Sequence, residues 1–343
     1  MNTIKLNTIG DSPIIKKGSQ VQSQEKTVEI TENGTTEVVP DSGYALSKVT
    51  VNTNVESSGS ATKWTGHADA EGLKAIGWTD EDIAYYQANG VNWNEEDDEY
   101  HKVTDDNKAL YGVLTADNIS DYKDRIVYLP KIDTSGVTNM YNFFYECYNL
   151  VGIPMIDTSN NEQFSYMFYQ CPITCIPPLN MSKATYLNSM LYECWHLTHF
   201  PNMEIPSGAL LYEMFCECHS LERIDTPYIY AEDGDYSGMF TDCACLKSAP
   251  ILDGENSSAS YSFDSTYSGC ISLINAKVKN LKINLKLNDV RYLSKDSLRY
   301  IINNEAATSP ITITLHTFAY SRLANDSDIT VALAAHPNVS LAK

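Results

Sequence analysis

Six of the nine cysteines in this 343-residue chain recur at a nearly constant interval. From Cys147 the steps to Cys171, Cys194, Cys218, Cys243 and Cys270 are 24, 23, 24, 25 and 27 residues. Neighbouring positions repeat with them. Four and three residues before the cysteine stand Phe143-Phe144, Met167-Phe168, Met190-Leu191, Met214-Phe215, Met239-Phe240 and the divergent Thr266-Tyr267. Three residues after it stand Leu150, Leu197, Leu221, Leu246 and Leu273, with Thr174 as the exception. An apolar or small residue before proline follows in Ile153-Pro154, Ile176-Pro177, Phe200-Pro201 and Ala249-Pro250. A unit of this length cannot bury its apolar side alone and must stack on copies of itself, so the expected fold is a repeat solenoid. Offsets of three to four put the apolar pair, the cysteine and the leucine on one side of a helical turn, and the apolar-Pro piece reads as a short strand that ends there. Stacking then makes the cysteines a buried ladder, because free Cys is among the most buried residue types. Disulfides between rungs are a weaker alternative. Metal ligation is weaker still, since no CxxC pair with partner histidines occurs.

The segment Ile132-Asp133-Thr134-Ser135-Gly136-Val137-Thr138-Asn139-Met140, followed by Phe143-Phe144-Tyr145-Glu146-Cys147 and Leu150, resembles the BspA-type leucine-rich repeat of surface proteins from gut and oral bacteria and their phages. The resemblance covers about residues 130–278. It departs at the Cys171 unit, where Pro172 and Thr174 replace the usual residues, and at the Cys270 unit, which lacks the Met-Phe pair and the proline. Beyond it the rung changes. Ile283 and Leu285, then Ile311, Ile313 and Leu315, then Val339 and Leu341 alternate as three strands about 28 residues apart. Helix starts lie between them, with Ser294 capping Lys295 to Asn303 and Asp326 or Ser327 preceding Ile329 to Ala335. These coils are expected to finish and cap the solenoid, giving it the span 109–343.

Residues 1–26 are polar, carry Gly10, Pro13 and Gly18, and read as an extended attachment arm. Residues 27–55 read as a small three-stranded β-module, with a hairpin around Asn33-Gly34 and a third strand carrying Val49, Val51 and Val55. About 30 residues are too few to stand alone comfortably, so the module is expected to lean on a neighbour or to trimerise. It resembles a short module of phage tail and fibre proteins, which implies that the arm joins other virion proteins. Residues 56–108 read as an acidic linker and helical neck, with 12 Asp/Glu against four Lys from residue 61 onward. Asp69 caps a helix over Ala70 to Ile76 that Gly77 stops, and Thr79 with Asp82 forms a capping box before a helix over Asp80 to Ala88. Trp64, Trp78 and Trp93 are expected to pack that hairpin. The text from Gly72 to Tyr86 also resembles a segment that accompanies BspA-type repeats in proteins of Bacteroides phages.

Charge narrows the partners. Twenty-four Lys/Arg against 44 Asp/Glu give a net charge of -20, which repels nucleic acid and anionic membranes. No run approaches the ~20 apolar residues of a membrane-spanning helix. The first ten residues gather no secretory apolar stretch either, so virion assembly in a host cytoplasm is expected over secretion. No phosphate-binding loop, dinucleotide fingerprint or HExxH is present. Asp41-Ser42-Gly43 and Asp133-Thr134-Ser135-Gly136 carry aspartic-protease letters in turn contexts. Asp233-x-Asp235-x-Ser237-Gly238 opens like a calcium loop but has Ala244 at the twelfth position. The thiol-histidine pairs Cys194 with His196 and Cys218 with His219 involve ladder cysteines. No catalytic residue, cofactor or metal is therefore expected.

What remains is a surface. Two residues before the cysteine come Tyr145, Tyr169 and Tyr192; one residue after it come Tyr148, Trp195 and His219. Aligned aromatic columns on a rigid solenoid make a platform for a host glycan or protein, the alternative being rings that pack between coils or subunits. Together with the resemblances this reads as a non-enzymatic phage fibre of tail or head, homotrimeric and exposed on the virion, that carries a receptor-binding solenoid. A bacterial surface adhesin with the same repeats, or an interaction scaffold, is the alternative.

Overall fold

The computed structural model describes residues 70–89, 114–257 and 261–343, together with the backbone of three N-terminal strands. The chain divides into two compact units, Met1–Trp64 and Thr65–Lys343.

In the first unit β1 (Asn2–Gly10), β2 (Ser23–Ile30) and β3 (Tyr44–Asn52) form an antiparallel sheet in the order β2-β1-β3. Asn2 pairs with Ile30 and Ile9 with Ser23 on one side, and Thr3 pairs with Asn52 and Gly10 with Tyr44 on the other. This corrects the reading of residues 1–26 as an arm: their first ten residues supply the central strand. Ile4 and Leu6 alternate as a strand should, but the pairing with β3 shifts between Asn7 and Thr8. The extra residue there is Ser47 of β3, and β1 pairs with β2 without a break, so what hides the period of two is the step from Leu6 to Ile9 in the β1 sequence itself. The Asn33-Gly34 hairpin lies outside the described residues.

In the second unit, hydrogen bonds run from each coil to the next. The N–H groups of Phe144, Phe168, Leu191, Phe215 and Phe240 donate to the carbonyls of Met167, Met190, Met214, Met239 and Thr266, which lie 22 to 26 residues ahead. Their side chains form the core, all fully buried, with ring pairs such as Phe144 and Phe168 stacked at 5.2 Å. The segment before each cysteine is not helical. It is a chain of turns closed by bonds three residues apart, such as Phe143 N–H to Met140 C=O and Cys147 N–H to Phe144 C=O. The third residue of each such turn is left-handed: Asn142 and Glu146, with φ of 58° and 57°, then Tyr166 and Gln170, Ser189 and Glu193, Glu213 and Glu217, Gly238 and Asp242, Ser265 and Gly269. A left-handed non-glycine residue costs about 1–2 kcal/mol, and here the ladder bonds on both sides hold it in place. The same spacing on a helix would have pointed the Phe and Cys columns alike, so a period of three to four does not separate the two.

Each ladder thiol has a fixed task. Sγ of Cys171, Cys194, Cys218, Cys243 and Cys270 donates to the carbonyl of Phe144, Phe168, Leu191, Phe215 and Phe240 in the preceding coil, at 2.9–3.1 Å. A small buried residue with a weak donor suits this place. All nine cysteines are free, and Cys245 alone among them is exposed.

Parallel strands line another side: β4 (His199–Phe200) with β5 (Arg223–Ile224), and β6 (Tyr228–Tyr230) with β7 (Ser248–Asp253) and β8 (Asn275–Lys279). The last coils pair β9 (Leu285–Leu287), β10 (Ile311–Leu315) and β11 (Val339–Ala342) in parallel, with Ile313 opposite Leu285 and Ile311 opposite Val339. Ile283 stands before this strand, half-buried.

The helices α1 (Ala70–Ala75) and α2 (Asp80–Asn89) belong to this second unit and pack across its first coils instead of forming a separate neck. The indole N–H of Trp78 donates to Leu129 C=O at 2.7 Å, and Lys131 N–H donates to Ile76 C=O at 2.9 Å. The Tyr86 hydroxyl accepts from Ile153 N–H at 2.9 Å and donates to Cys175 C=O at 3.2 Å. Gly152 permits this approach, since a Cβ there would sit 3.0 Å from the Tyr86 ring and 3.4 Å from Trp78. The capping box forms, with Thr79 N–H and Oγ donating to Asp82 and Asp82 N–H donating to Thr79 Oγ. Asp82 also accepts Met155 N–H at 2.6 Å, which ties the helix to the second coil. Trp64, Asp69 and Trp93 lie outside the described residues. Toward the C-terminus α3 (Lys295–Asn303) starts at its Ser294 cap and α5 (Ser327–Ala335) at its Asp326 cap, while α4 (Thr317–Leu323), capped by His316, has no counterpart in the sequence reading.

Candidate binding face: a stacked tyrosine ladder beside an exposed ring column

Successive coils place like positions one above another, and the two aromatic columns behave differently. Tyr145 and Tyr169 stack at 4.7 Å with planes 9° apart, and Tyr169 and Tyr192 stack at 5.2 Å and 20°. Ring faces inside such a stack are covered by each other, so this column offers edges and hydroxyls, not open platforms. Burial pushes the three phenols up, helped by Glu146 at Tyr145, Glu193 at Tyr169, and Cys216 and Glu217 at Tyr192. They stay protonated donors through the physiological range.

Left-handed residues alongside supply a second column, Glu146, Gln170, Glu193 and Glu217. Lys123 Nζ lies 2.9 Å from Glu146 and holds its carboxyl below the usual range, and Gln170 donates to Glu193 at 2.8 Å.

Tyr148 and Trp195, in contrast, are 47 % and 40 % exposed, and among the described residues neither makes a ring contact. Their faces are open to a partner. They stand two coils apart in the position after the cysteine, with Pro172 between them and the exposed His219 one coil beyond. The Tyr148 hydroxyl reaches Gln170 at 3.3 Å, which joins the open column to the ladder. Tyr141, which is 51 % exposed, and Tyr166 extend the aromatic face, meeting edge to face at 5.9 Å, and Tyr166 lies 5.9 Å from Tyr169. Tyr212 sits near Tyr166 and is raised by burial and by that neighbour. These three escape a reading by columns because they alternate between two positions; the excess of tyrosine ahead of the cysteine as a whole was the available signal.

The catalytic alternatives dissolve into repeat structure. The Cys194 and Cys218 thiols face carbonyls in the core, and burial pushes both up, while His196 and His219 are exposed. Asp133 Oδ1 accepts from Ser135 N–H and Oγ, as Asp157 does from Ser159 N–H and Asn180 from Ser182, so the protease-like letters are a recurring side-chain turn. Asp233 and Asp235 accept the N–H groups of Asp235 and Ser237 in the same way. Asp41-Ser42-Gly43 lies outside the described residues. Among the described residues no group of three His, Cys, Asp or Glu side chains is placed to hold a metal, and no helix is long and apolar enough to cross a membrane.

Comparison with models of known protein families gives no match, and comparison with curated proteins gives none either.

Proposed function

We propose that the chain is a fibre-type attachment protein of a bacteriophage virion, built on a BspA-type leucine-rich solenoid and devoid of enzymatic activity. The N-terminal sheet unit joins it to other virion proteins and to two further copies of itself. The face around Tyr148 and Trp195 contacts a glycan or protein on the host surface. The observation that carries this reading is the pair of open rings set on a ladder of stacked tyrosines. Two χ angles per ring and a fixed base mean that little entropy is lost when a partner lands. Repeat resemblance over residues 130–278 and the fibre-like N-terminal text support the same assignment.

The test is binding of the fluorescently labelled chain to Bacteroides cells. The double variant Tyr148→Ala with Trp195→Ala is expected to lose most cell binding at an unchanged melting temperature, since both rings are exposed. Full binding by the folded double variant overturns the assignment of this face. A solution mass of one chain at micromolar concentration overturns the trimer.

A further inference from the structure

A second candidate site lies beyond that face, where the cysteine ladder has ended. In the coil after Cys270, Val290 takes the cysteine's place, with its N–H donating to Leu287 C=O, and Arg291 follows in the column of Tyr148 and Trp195. A cleft of about 420 Å³ opens here, lined by Ile271, Ser272, Asp289, Arg291, Tyr292 and His316. Arg291 is the unusual member. Its guanidinium lies 5.5 Å from the centre of the Tyr292 ring and 5.4 Å from that of Phe318, and these rings meet edge to face at 6.1 Å. Two aromatic faces therefore hold the cation, yet among the described residues it has no ion pair. The carboxylate of Asp289 lines the same cleft without pairing with the guanidinium; its Oδ2 accepts Gly269 N–H at 2.9 Å and Ser268 Oγ at 3.2 Å. In a chain of net charge -20, a positioned guanidinium without a carboxylate partner marks a place for a ligand's anion.

His316 adds a donor. Its Nδ1 accepts Phe318 N–H at 3.0 Å, so the neutral ring carries its proton on Nε2. Ser272 adds a hydroxyl at the wall. The remaining surface is apolar and wet: Ile271, Tyr292 and Phe318 are exposed by 58 %, 50 % and 43 %. A fork for one carboxylate, two hydroxyl-range donors and an open aromatic face match a sugar ring bearing a carboxylate, whose C–H face lies on an aromatic ring while its acid meets the guanidinium.

We infer that this cleft binds a carboxylated monosaccharide unit, of the uronic or nonulosonic acid type, separately from the Tyr148 and Trp195 face. The test is titration of the full chain with glucuronate, galacturonate and N-acetylneuraminate, followed by saturation-transfer NMR, with glucose and galactose as ring-matched neutral probes and N-acetylglutamate as an acid without a sugar. At least one acidic sugar is expected to bind at least about tenfold more tightly than its neutral counterpart and than N-acetylglutamate. Arg291→Gln is expected to lower that affinity by about tenfold or more, while Tyr148→Ala with Trp195→Ala leaves it unchanged. Binding by none of the three acids, equal binding of the neutral sugars, equal binding of N-acetylglutamate, or an unaffected Arg291→Gln each overturns the inference. None of these results touches the cell-binding test of the other face.

Discussion

Tyr86→Phe isolates one atom in the docking of the helical hairpin. Tyr86 is 3 % exposed, and its ring packs on Trp78 at 5.0 Å, which Phe preserves. What is lost is the hydroxyl between Ile153 N–H at 2.9 Å and Cys175 C=O at 3.2 Å. Leaving a buried N–H without its acceptor costs about 1–3 kcal/mol, and the weaker bond to the carbonyl adds about 0.5–1 kcal/mol. A total near 2–3 kcal/mol corresponds to about 30- to 150-fold in an opening equilibrium. Hydrogen exchange reads it locally. The Lys131 amide and the Trp78 indole N–H, whose bonds to Ile76 and Leu129 exist only when the hairpin is docked, should exchange faster by about that factor, while the β10 amides remain as protected as before. Tyr85→Phe provides the comparison. Its hydroxyl donates to Ile176 C=O at 2.7 Å from a half-buried position where water can replace it, so the effect should stay below about tenfold. Exchange within threefold of the parent for Tyr86→Phe would refute the reasoning, because the hairpin would then be held by packing alone.

Other expectations follow from the same contacts. Ellman's reagent should modify one thiol quickly in the native chain, Cys245, and all nine after denaturation, since burial pushes Cys175, Cys216 and Cys270 up to about 12 and Cys218 and Cys243 well above the ordinary range; two or more fast thiols would contradict the ladder. Gly234→Ala should destabilise by more than about 3 kcal/mol in a denaturant titration, because φ is +66° and the new Cβ would sit 2.4 Å from backbone of Asn256. Burial alone would raise Asp253, but the bonds it accepts from Tyr228, Asn280, Lys279 and Glu255 N–H outweigh that and hold it below the ordinary range. Its ionised form thus stabilises the fold fully above the unfolded value near 3.9, and the contribution disappears as pH falls below about 4 through the lowered folded value. Asp253→Asn should accordingly lower the melting temperature at pH 7 and flatten its decline from pH 5 to 3; an equally steep decline would remove Asp253 from the acid response.

The cysteine period was legible because each coil repeats the same buried chemistry, and the caps of α2, α3 and α5 were legible because Thr79, Ser294 and Asp326 are strong local signals. The backbone between those anchors was not. Glu146, Gln170 and Glu193 are left-handed without being glycine, since ladder bonds impose what propensity would refuse. Strand β1 was obscured because its apolar residues step from Leu6 to Ile9 and so leave the period of two. In the binding face the columns were readable, but not which one would expose its rings, because the direction of Tyr169 against Trp195 depends on turn geometry and not on spacing. The Arg291 cleft was hidden because the cysteine that marks the column is replaced by Val290, only 20 residues after Cys270.

Each ladder thiol from Cys171 to Cys270 bonds to the coil before it, and alternate turn N–H groups bond to the coil after it, so what one coil offers its neighbours is nearly the same at every level. The body is therefore interchangeable in whole units. Excising residues 195–218 would join Cys194 to His219 and bring Cys243 under the Leu191 carbonyl in place of Phe215, with the same bonding partners on both sides of the seam. Such a chain would present a face one rung shorter, and gene duplication or loss at this period would change the reach of the molecule without asking any single residue to adapt.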